Sequence, residues 1–566
     1  MTGTSAAKAN ANDYRQIAAD KQRQRQGKIP REWLIDFDLR KGKDHDHDAT
    51  ADAAATTTAT TTNLLQVPVT CGLLDEVECS ITSEYDVTAL LEKIKSGAWS
   101  AEQVTVAFCK RAAVAQQLTN CLTEIFFDDA IQRARQLDQE RREAPGRQLR
   151  PLHGLPISLK DSFQVAGQDT STGLACFVDE PAGQNSALAA LLLDLGAVLY
   201  CKTNLPQTIM TGDSDNNVFG RTLNPHNLAL TAGGSSGGEG ALIALRGSLL
   251  GVGTDIAGSI RIPSLCNGIY GLRTSVGLVP HDGVRDLSVP GTDAVRSAAG
   301  PMATSVRDCR LFMKAVMESE TWRYDSSVVS VPWRNLQERK KLRIGVVHDN
   351  GIHTPSPPVR RGLNQAVQLL QGRDDVETVS LTLPGVGQIY QDLVKYWAPL
   401  GAEHLSALFA QTGEPTIPSL EALGLMAVEG TTMKEYLELN ARREDAAERY
   451  LRLFCHHRLD AILMPVAPHT AVPWDTWSGA SYTGIWNYLD YPAIVLPVDK
   501  VRETDVADDV ANAKYGPDDA NLYRLYTGPE LYRDAPIGVQ LVGYRQMDEE
   551  LLNTATVLDS IINGKR

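Results

Sequence analysis

The sequence lacks the paired cysteine motifs that indicate a structural metal site or a disulfide framework. Its nine cysteines are scattered over 566 residues, with no C-x-x-C pair and no set of cysteines and histidines at the spacing of metal ligands. An odd number of cysteines in a long chain without a secretory segment is typical of reduced thiols in a cytosolic compartment. We therefore expect a cytoplasmic protein that holds no metal ion.

Long apolar runs and dense positive charge are also missing. The apolar runs at 187–201 and 241–253 are too short to span a bilayer, and Asp194 and Arg246 interrupt them. Residues 1–14 are small and polar and lack the apolar core of a signal peptide. The formal net charge is −14, and Lys and Arg form no stripe. We expect neither a transmembrane segment nor binding of nucleic acid.

The composition is sufficient for a large buried core, because 43% of the residues are hydrophobic. Length alone, at about 150 residues per domain, suggests several domains. Residues 41–63 are a low-complexity tract of charged residues, alanines and threonines, a composition typical of a disordered insert. His45 and His47 lie in this tract without further ligands nearby, so we expect no metal site there.

Local patterns predict alternating helices and strands. Residues that can cap a helix precede apolar-periodic runs at Asp86, Ser100, Ser186 and Thr432. The predicted helices cover 87–96, 101–117, 128–142, 187–195, 238–246 and the run from Thr432 to 455. Strands are predicted at 155–160, where the sheet begins, and at 197–201, 249–254, 342–347, 460–465, 493–498 and 536–543, with a polar surface segment at 501–532. Strand–helix–strand order indicates an α/β sandwich.

Two glycine-rich turns that contain serines stand out, at 233–238 and 255–259. Glycine allows a positive φ and lets successive N–H groups converge on one point, which an enzyme needs in order to hold an oxyanion. Ser235 is predicted at a helix start and Ser259 just beyond a strand end, where catalytic groups tend to lie in α/β sheets. Asp255 and Arg261 are expected to brace the second turn as a buried pair.

These residues allow the chemistry of amide cleavage. Ser259 is the candidate nucleophile, and a base must activate it. Lys160 ends an apolar strand, and a buried lysine is shifted towards the neutral form that accepts a proton. Ser235 can relay between the two, since a hydroxyl is both donor and acceptor. The histidines are most simply structural or surface residues.

The same stretches resemble the amidase signature family. Gly233 begins Gly-Gly-Ser-Ser-Gly-Gly-Glu-Gly, Gly253 begins Gly-Thr-Asp-Ile-Ala-Gly-Ser-Ile-Arg-Ile-Pro, and His153 begins His-Gly-Leu-Pro-Ile-Ser-Leu-Lys-Asp. The spacings also fit, with 75 residues between Lys160 and Ser235 and 24 between Ser235 and Ser259. The segments at 17–21 and 29–33 are similar to the fungal acetamidase or general amidase branch.

The resemblance implies the rest of our interpretation. It implies one amidase domain over 68–566, preceded by an N-terminal arm over 1–67, and a large mixed β-sheet covered on both faces by helices in an α/β/α sandwich. It implies Lys160 as base, Ser235 as bridging serine on a cis peptide, Ser259 as acylated nucleophile, and no cofactor. The oxyanion would be held by backbone N–H groups of Ile256, Ala257, Gly258 and Ser259. Ile209 would lie in the substrate-contacting loop with Ser235, and Ala257, where many members have glycine, is expected to restrict the turn.

Competing interpretations remain open. Residues 233–237 also fit the G-x-S-x-G elbow of α/β-hydrolases, but a polar loop precedes them and no histidine follows His469. The leading function is a cofactor-free hydrolase of small-molecule amides. A glutamine-amidotransferase-type subunit and a non-catalytic binding protein on the same fold are the alternatives. The one macromolecular partner that we consider is a second copy of the chain, in a homodimer.

Overall fold

A mixed β-sheet runs through the protein and carries the site at the ends of its strands. The computed structural model describes residues 13–36, 63–287, 291, 294–337 and 341–564. Their strands are β1 (Leu122–Ile125), β2 (Pro156–Lys160), β3 (Val198–Thr203), β4 (Leu250–Asp255), β5 (Tyr270–Arg273), β6 (Ala298–Ala303), β7 (Leu342–Val346), β8 (Val376–Ser380), β9 (Ala461–Pro465), β10 (Ala493–Lys500) and β11 (Pro536–Val542).

The strand order is β1-β3-β2-β4-β6-β5-β10-β11-β9-β7-β8. β2 is parallel to both β3 and β4, and β7 is parallel to both β8 and β9, while the other neighbours are antiparallel. The sheet therefore begins at β1, not at 155–160 as the sequence predicted. The prediction missed β1 because a strand of four residues is too short to show a clear alternation of apolar and polar residues.

Helices cover both faces of this sheet. They are α1 (Tyr14–Gly27), α2 (Val67–Thr70), α3 (Glu76–Ser83), α4 (Val87–Ser96), α5 (Ala101–Thr119), α6 (Phe127–Glu143), α7 (Ala187–Asp194), α8 (Gly237–Ala244), α9 (Arg261–Asn267), α10 (Val306–Met317), α11 (Pro357–Gln371), α12 (Val386–Trp397), α13 (Glu403–Ala410), α14 (Pro418–Leu423), α15 (Met433–His457), α16 (Gly484–Leu489), α17 (Pro517–Tyr523) and α18 (Asp548–Ile562).

The strand residues divide between two sets of helices, as alternation requires. On β3, Leu199 packs in a cluster with α4, α7, α10, α11 and α18, while Val198 and Tyr200 pack in a cluster with α5, α6 and α8. On β9, Leu463 belongs to the first cluster and Ile462 to one with α12, α15 and α16. The predicted α/β/α sandwich is confirmed.

Several predicted local details are present as well. Asp86 caps α4 and Gly97 ends it with a φ of 81°. Complete capping boxes are present at the starts of α5 and α15. In each, the N-cap side chain accepts from the backbone of the third helical residue, and the side chain of that residue accepts from the N-cap backbone. None of the helices among the described residues is long and apolar enough to cross a membrane.

Two local predictions are wrong. Ser186 stands at the N-cap position of α7, but its buried hydroxyl has no hydrogen-bond partner, so it does not cap the helix by its side chain. The segment at 501–532 is more than a surface excursion, because Tyr526 and Tyr532 are 4% and 0% exposed and pack in a hydrophobic cluster.

The division at residue 67 stays a prediction, and the low-complexity tract at 41–63 lies outside the described residues except for Asn63. The arm's helix α1 is attached to the sheet by buried charges. Lys21 Nζ lies 2.6 Å from Glu124 and 2.7 Å from Asp169, and Arg25 donates to the carbonyl of Leu122 at 2.6 Å.

Candidate active site

Lys160 lies at the end of β2 with no access to solvent. Its Nζ is 2.6 Å from Ser235 Oγ and 2.9 Å from Thr254 Oγ1. Burial lowers the pKa of Lys160 from its ordinary value of 10.5 to about 7, although Asp255 acts in the opposite direction. Near neutral pH a large fraction of this lysine is therefore the free amine, which is a base.

The neighbouring carboxylate of Asp161 points away from Lys160, as the strand alternation predicts. Asp161 accepts hydrogen bonds from Thr123, Ser171 and the backbone of Thr172 at 2.8–2.9 Å. Its counter-ion is Lys202 on β3, whose Nζ is 3.4 Å away and equally buried. Two buried lysines thus lie on adjacent strands, and this carboxylate pairs with only one of them.

Ser235 is held where the first glycine-rich turn enters α8. The Gly234–Ser235 peptide bond is cis, as the resemblance implies. A Cβ on Gly234 would lie 2.3 Å from the carbonyl oxygen of Thr211, so only glycine fits here. Ser235 is fully buried, and its Oγ contacts Lys160.

The second turn is braced by the buried pair that the sequence predicted. Arg261 binds both oxygens of Asp255 at 3.0 Å, and Asn487 donates to the same carboxylate at 2.9 Å. Burial alone would raise the pKa of Asp255, but Arg261 holds that pKa below its ordinary value. Asp255 in turn accepts from the backbone N–H of Gly258 at 2.7 Å and of Ile260 at 3.2 Å.

The N–H groups expected to hold an oxyanion are not all available. The N–H of Gly258 is bound by Asp255. Those of Ile256, Ala257 and Ser259 donate to no described residue. Gly258 has a φ of 132° and requires glycine, whereas Ala257 does not adopt a positive φ, so alanine is accommodated at 257 without backbone strain.

Ser259 lines a cavity of about 980 Å³, open mouth included, together with Ser235 and Thr254. Ile209 lies on its wall with a φ of 65°, and its contact with substrate stays a prediction. Most of the remaining wall is apolar and comes from the loop after β5 and from 396–425, including Val284, Trp397 and Leu405. A smaller cavity, lined by Ala257 and Trp477, lies on the other side of Ser259.

Two functional candidates were missed by the sequence analysis. Thr254 contacts the amine of Lys160, and Glu239 is a fully buried carboxyl that interacts electrostatically with it. Both stand inside the motifs that resemble the family, Glu239 in the one that begins at Gly233 and Thr254 in the one that begins at Gly253, so their place in these motifs was the available signal. His226, in contrast, only binds the carbonyl of Asn267 at 2.9 Å and is structural, as expected.

Comparisons with known proteins find relatives over almost the whole chain. A family model described as Amidase matches residues 103–552. An amidase of Gibberella moniliformis is 36% identical over 556 residues, which cover 97% of this chain and 99% of the relative. An acetamidase of Emericella nidulans is 34% identical over 573 residues, which cover 97% and 98%.

The chain belongs to the amidase family.

A solved structure of a fatty acid amide hydrolase has a TM-score of 0.88 and 30% identity, covering 98% of this chain and 96% of that one. The amidase-signature fold and the similarity to fungal amidases and acetamidases are therefore confirmed. Membership of the amidase family supports hydrolysis of amides as the chemistry of this site.

Proposed function

We propose that this amidase cleaves uncharged carboxylic amides to an acid and ammonia or an amine, through an acyl-enzyme on Ser259. The observation that carries the proposal is the contact of 2.6 Å between Lys160 Nζ and Ser235 Oγ, fully buried, beside a cavity that Ser259 also lines. Lys160 contacts Ser235, and Ser235 and Ser259 line the same cavity, which supports the roles of base, relay and nucleophile for these three residues.

In this proposal the proton moves from Ser259 through Ser235 to Lys160. The free amine of Lys160 accepts the proton of Ser235, and Ser235 accepts that of Ser259. Ser259 Oγ then forms a bond to the amide carbon, and the carbonyl π electrons move to oxygen. When the carbon–nitrogen bond breaks, the proton returns through Ser235 to the leaving nitrogen. Water attacks the ester in the same way and releases the acid.

The negative oxygen of the tetrahedral intermediate needs donors that are free in the resting enzyme. The N–H groups of Ile256, Ala257 and Ser259 fit this role, and one such donor is typically worth about 3 kcal/mol. Gly258 serves by shaping the turn, since its own N–H is held by Asp255.

The cavity supports a stand-alone amidase over a glutamine-amidotransferase-type subunit. Glutamine carries an α-carboxylate, which needs a cation when it is taken out of water. Among the described residues that line the cavity there is no lysine or arginine, and Asp286 contributes negative charge. The complete set of Lys160, Ser235 and Ser259 argues against a purely binding protein.

A hydrolysis screen tests the proposal. Acetamide, an aryl amide, a fatty amide and glutamine would be offered to the wild type and to Ser259→Ala, with acid and ammonia measured. We expect hydrolysis of at least one uncharged amide, little activity on glutamine, and none by the variant. Hydrolysis of glutamine alone, or only with a second protein added, would contradict the proposal.

Two finer statements stay predictions. The first is a cytoplasmic location, which the nine free thiols support. The second is a homodimer.

A further inference from the structure

Glu239 is a carboxyl group buried in the first turn of α8, directly behind the candidate base. It is 0% exposed. No arginine or lysine among the described residues forms an ion pair with it at salt-bridge distance. A buried carboxylate without a cation is costly, and such groups usually take up a proton. The protonation state of Glu239 therefore depends on the groups that surround it.

The carboxyl lies in the narrow space between three strands. Its Oε2 is 2.6 Å from Ser158 Oγ on β2, and its Oε1 is 2.9 Å from Thr203 Oγ1 on β3. A Cβ on Gly251 of β4 would lie 1.9 Å from Oε2, so the third strand closes the space. Ser158 and Lys160 share one face of β2, which places the carboxyl next to the strand end that holds the lysine.

Glu239, Ser158, Ser248 and the carbonyl of Leu250 form three consecutive contacts, which need three protons when each is a hydrogen bond. Ser248 Oγ is 2.9 Å from the carbonyl oxygen of Leu250, which can only accept, so Ser248 uses its single proton there. Ser158 Oγ is 3.0 Å from Ser248 Oγ, and the proton in that contact must come from Ser158. At the 2.6 Å contact with Glu239, Ser158 then has no proton left to give. For all three contacts to be hydrogen bonds, the third proton must come from Glu239.

We propose that Glu239 is a neutral carboxylic acid in the resting enzyme, with its proton on Oε2, and that it is a positioning residue for Lys160. The second part rests on the proposed function, in which Lys160 is the base. A carboxylate at this place would favour the charged lysine and suppress the base, whereas a neutral acid ties β2, β3 and β4 together without adding an anion.

The other titratable groups agree with this assignment. Those that interact with Glu239 are Lys160 of β2, Tyr200 and Cys201 of β3, and Cys121 before β1. Those that interact with Lys160 are Glu239, Asp255, which is paired with Arg261, and His281. Burial raises the pKa of Glu239 above its ordinary value, even though Ser158, Thr203 and Lys160 lower it.

Neutron diffraction from wild-type crystals grown in D₂O tests the proton assignment without any activity measurement. We expect a deuteron on Glu239 Oε2 directed at Ser158 Oγ, with the deuteron of Ser158 directed at Ser248. A bare Glu239 with the Ser158 deuteron pointing towards it would overturn the proposal. This measurement needs no variant, so it decides the question even if substitutions at 239 do not fold.

The positioning role is tested by the pH profile of kcat/KM in Glu239→Gln. The amide can donate to Ser158 and accept from Thr203, so we expect the midpoint of the acidic limb to stay within about 0.3 pH units of the wild type. If Glu239 were an anion, its removal would shift the limb by about 1 pH unit or more towards acid, which would overturn the proposal.

The profile of Lys160→Ala separates this inference from the proposed function. If that variant keeps an unshifted acidic limb, Lys160 is not the base, and the positioning role of Glu239 is then wrong as well. The neutron result still decides whether Glu239 carries the proton. If Lys160→Ala loses the limb and Glu239→Gln moves it, only the inference about Glu239 is wrong.

Discussion

Replacing Lys160 by methionine should stabilise the folded protein at neutral pH while it abolishes activity. The physical reason is that the fold places a lysine where its charged form is disfavoured. Burial lowers the pKa of Lys160 to about 7, from an ordinary value of 10.5. Between those two pH values the unfolded chain binds a proton that the folded protein does not bind, so the stability of the wild type rises with pH across this window.

The size of the effect follows from that difference. A drop of about 3.5 pH units at 1.36 kcal/mol each corresponds to a penalty of up to about 5 kcal/mol at or below pH 7, which vanishes above pH 10.5. Methionine removes the penalty but leaves the hydroxyls of Ser235 and Thr254 without their partner, at roughly 1 kcal/mol each. We expect a net gain of about 2–3 kcal/mol at pH 7 and none near pH 10.

The matched control is Lys202→Met on the adjacent strand. Lys202 is as buried as Lys160 but is the counter-ion of Asp161, which would be left as an uncompensated buried charge. Breaking a buried pair costs about 3–5 kcal/mol, so this variant should be destabilised at every pH. The same residue type, equally buried, is thus predicted to have opposite effects at the two positions.

Thermal melting of the three proteins at pH 7 and pH 9.5 is the assay. Lys160→Met should melt above the wild type at pH 7 but no longer above it at pH 9.5, where about 1.4 kcal/mol of the penalty remains against about 2 kcal/mol for the two hydroxyls. Lys202→Met should melt below the wild type at both pH values. If Lys160→Met melts below the wild type by the same amount at both pH values, burial does not disfavour the charged lysine and the reasoning is refuted.

Three further predictions concern the turn and the pH dependence. Gly258→Ala should reduce kcat/KM about 100-fold in steady-state assays, because its Cβ would lie 2.4 Å from Thr483 Oγ1; wild-type kinetics would contradict this. Arg261→Met should lower the melting temperature sharply, because it leaves Asp255 as an unpaired buried charge at a cost in stability of about 3–5 kcal/mol. Adding Asp255→Asn to this variant should restore part of the lost melting temperature. The kcat/KM of the wild type should rise with pH through about 7 as Lys160 loses its proton, with full activity in EDTA; a metal requirement or a limb retained in Lys160→Ala would oppose this.

The sequence predicts best those features whose interactions are local. The caps at Asp86, Ser100 and Thr432 bind N–H groups only a few residues ahead, so the pattern contains the whole interaction. Ser186 shows the limit of such patterns. Its N–H binds the carbonyl of Gln164 and its Cα packs against Gly283, so a distant loop, not the helix, determines how it is placed.

Strands and polar contacts made between distant segments were harder to predict. β6 reads Ala-Ala-Gly-Pro-Met-Ala and has no β-branched residue, and it is a strand because β4 and β5 flank it. Glu239 stands inside a recognised motif, yet its partner Ser158 lies 81 residues earlier, and only the fold brings the two together. Lys160, Ser235 and Ser259 were found because their types and spacing resemble a family, while the geometry among them required the structure.

The central claim, that Ser259 is the nucleophile, is tested most directly by covalent labelling with a fluorophosphonate and mapping of the modified peptide by mass spectrometry. We predict one adduct on Ser259 in the wild type, none in Ser259→Ala, and slower labelling in Lys160→Ala, where the base is missing. An adduct on Ser235 in the wild type, or labelling that persists in Ser259→Ala, would contradict the account.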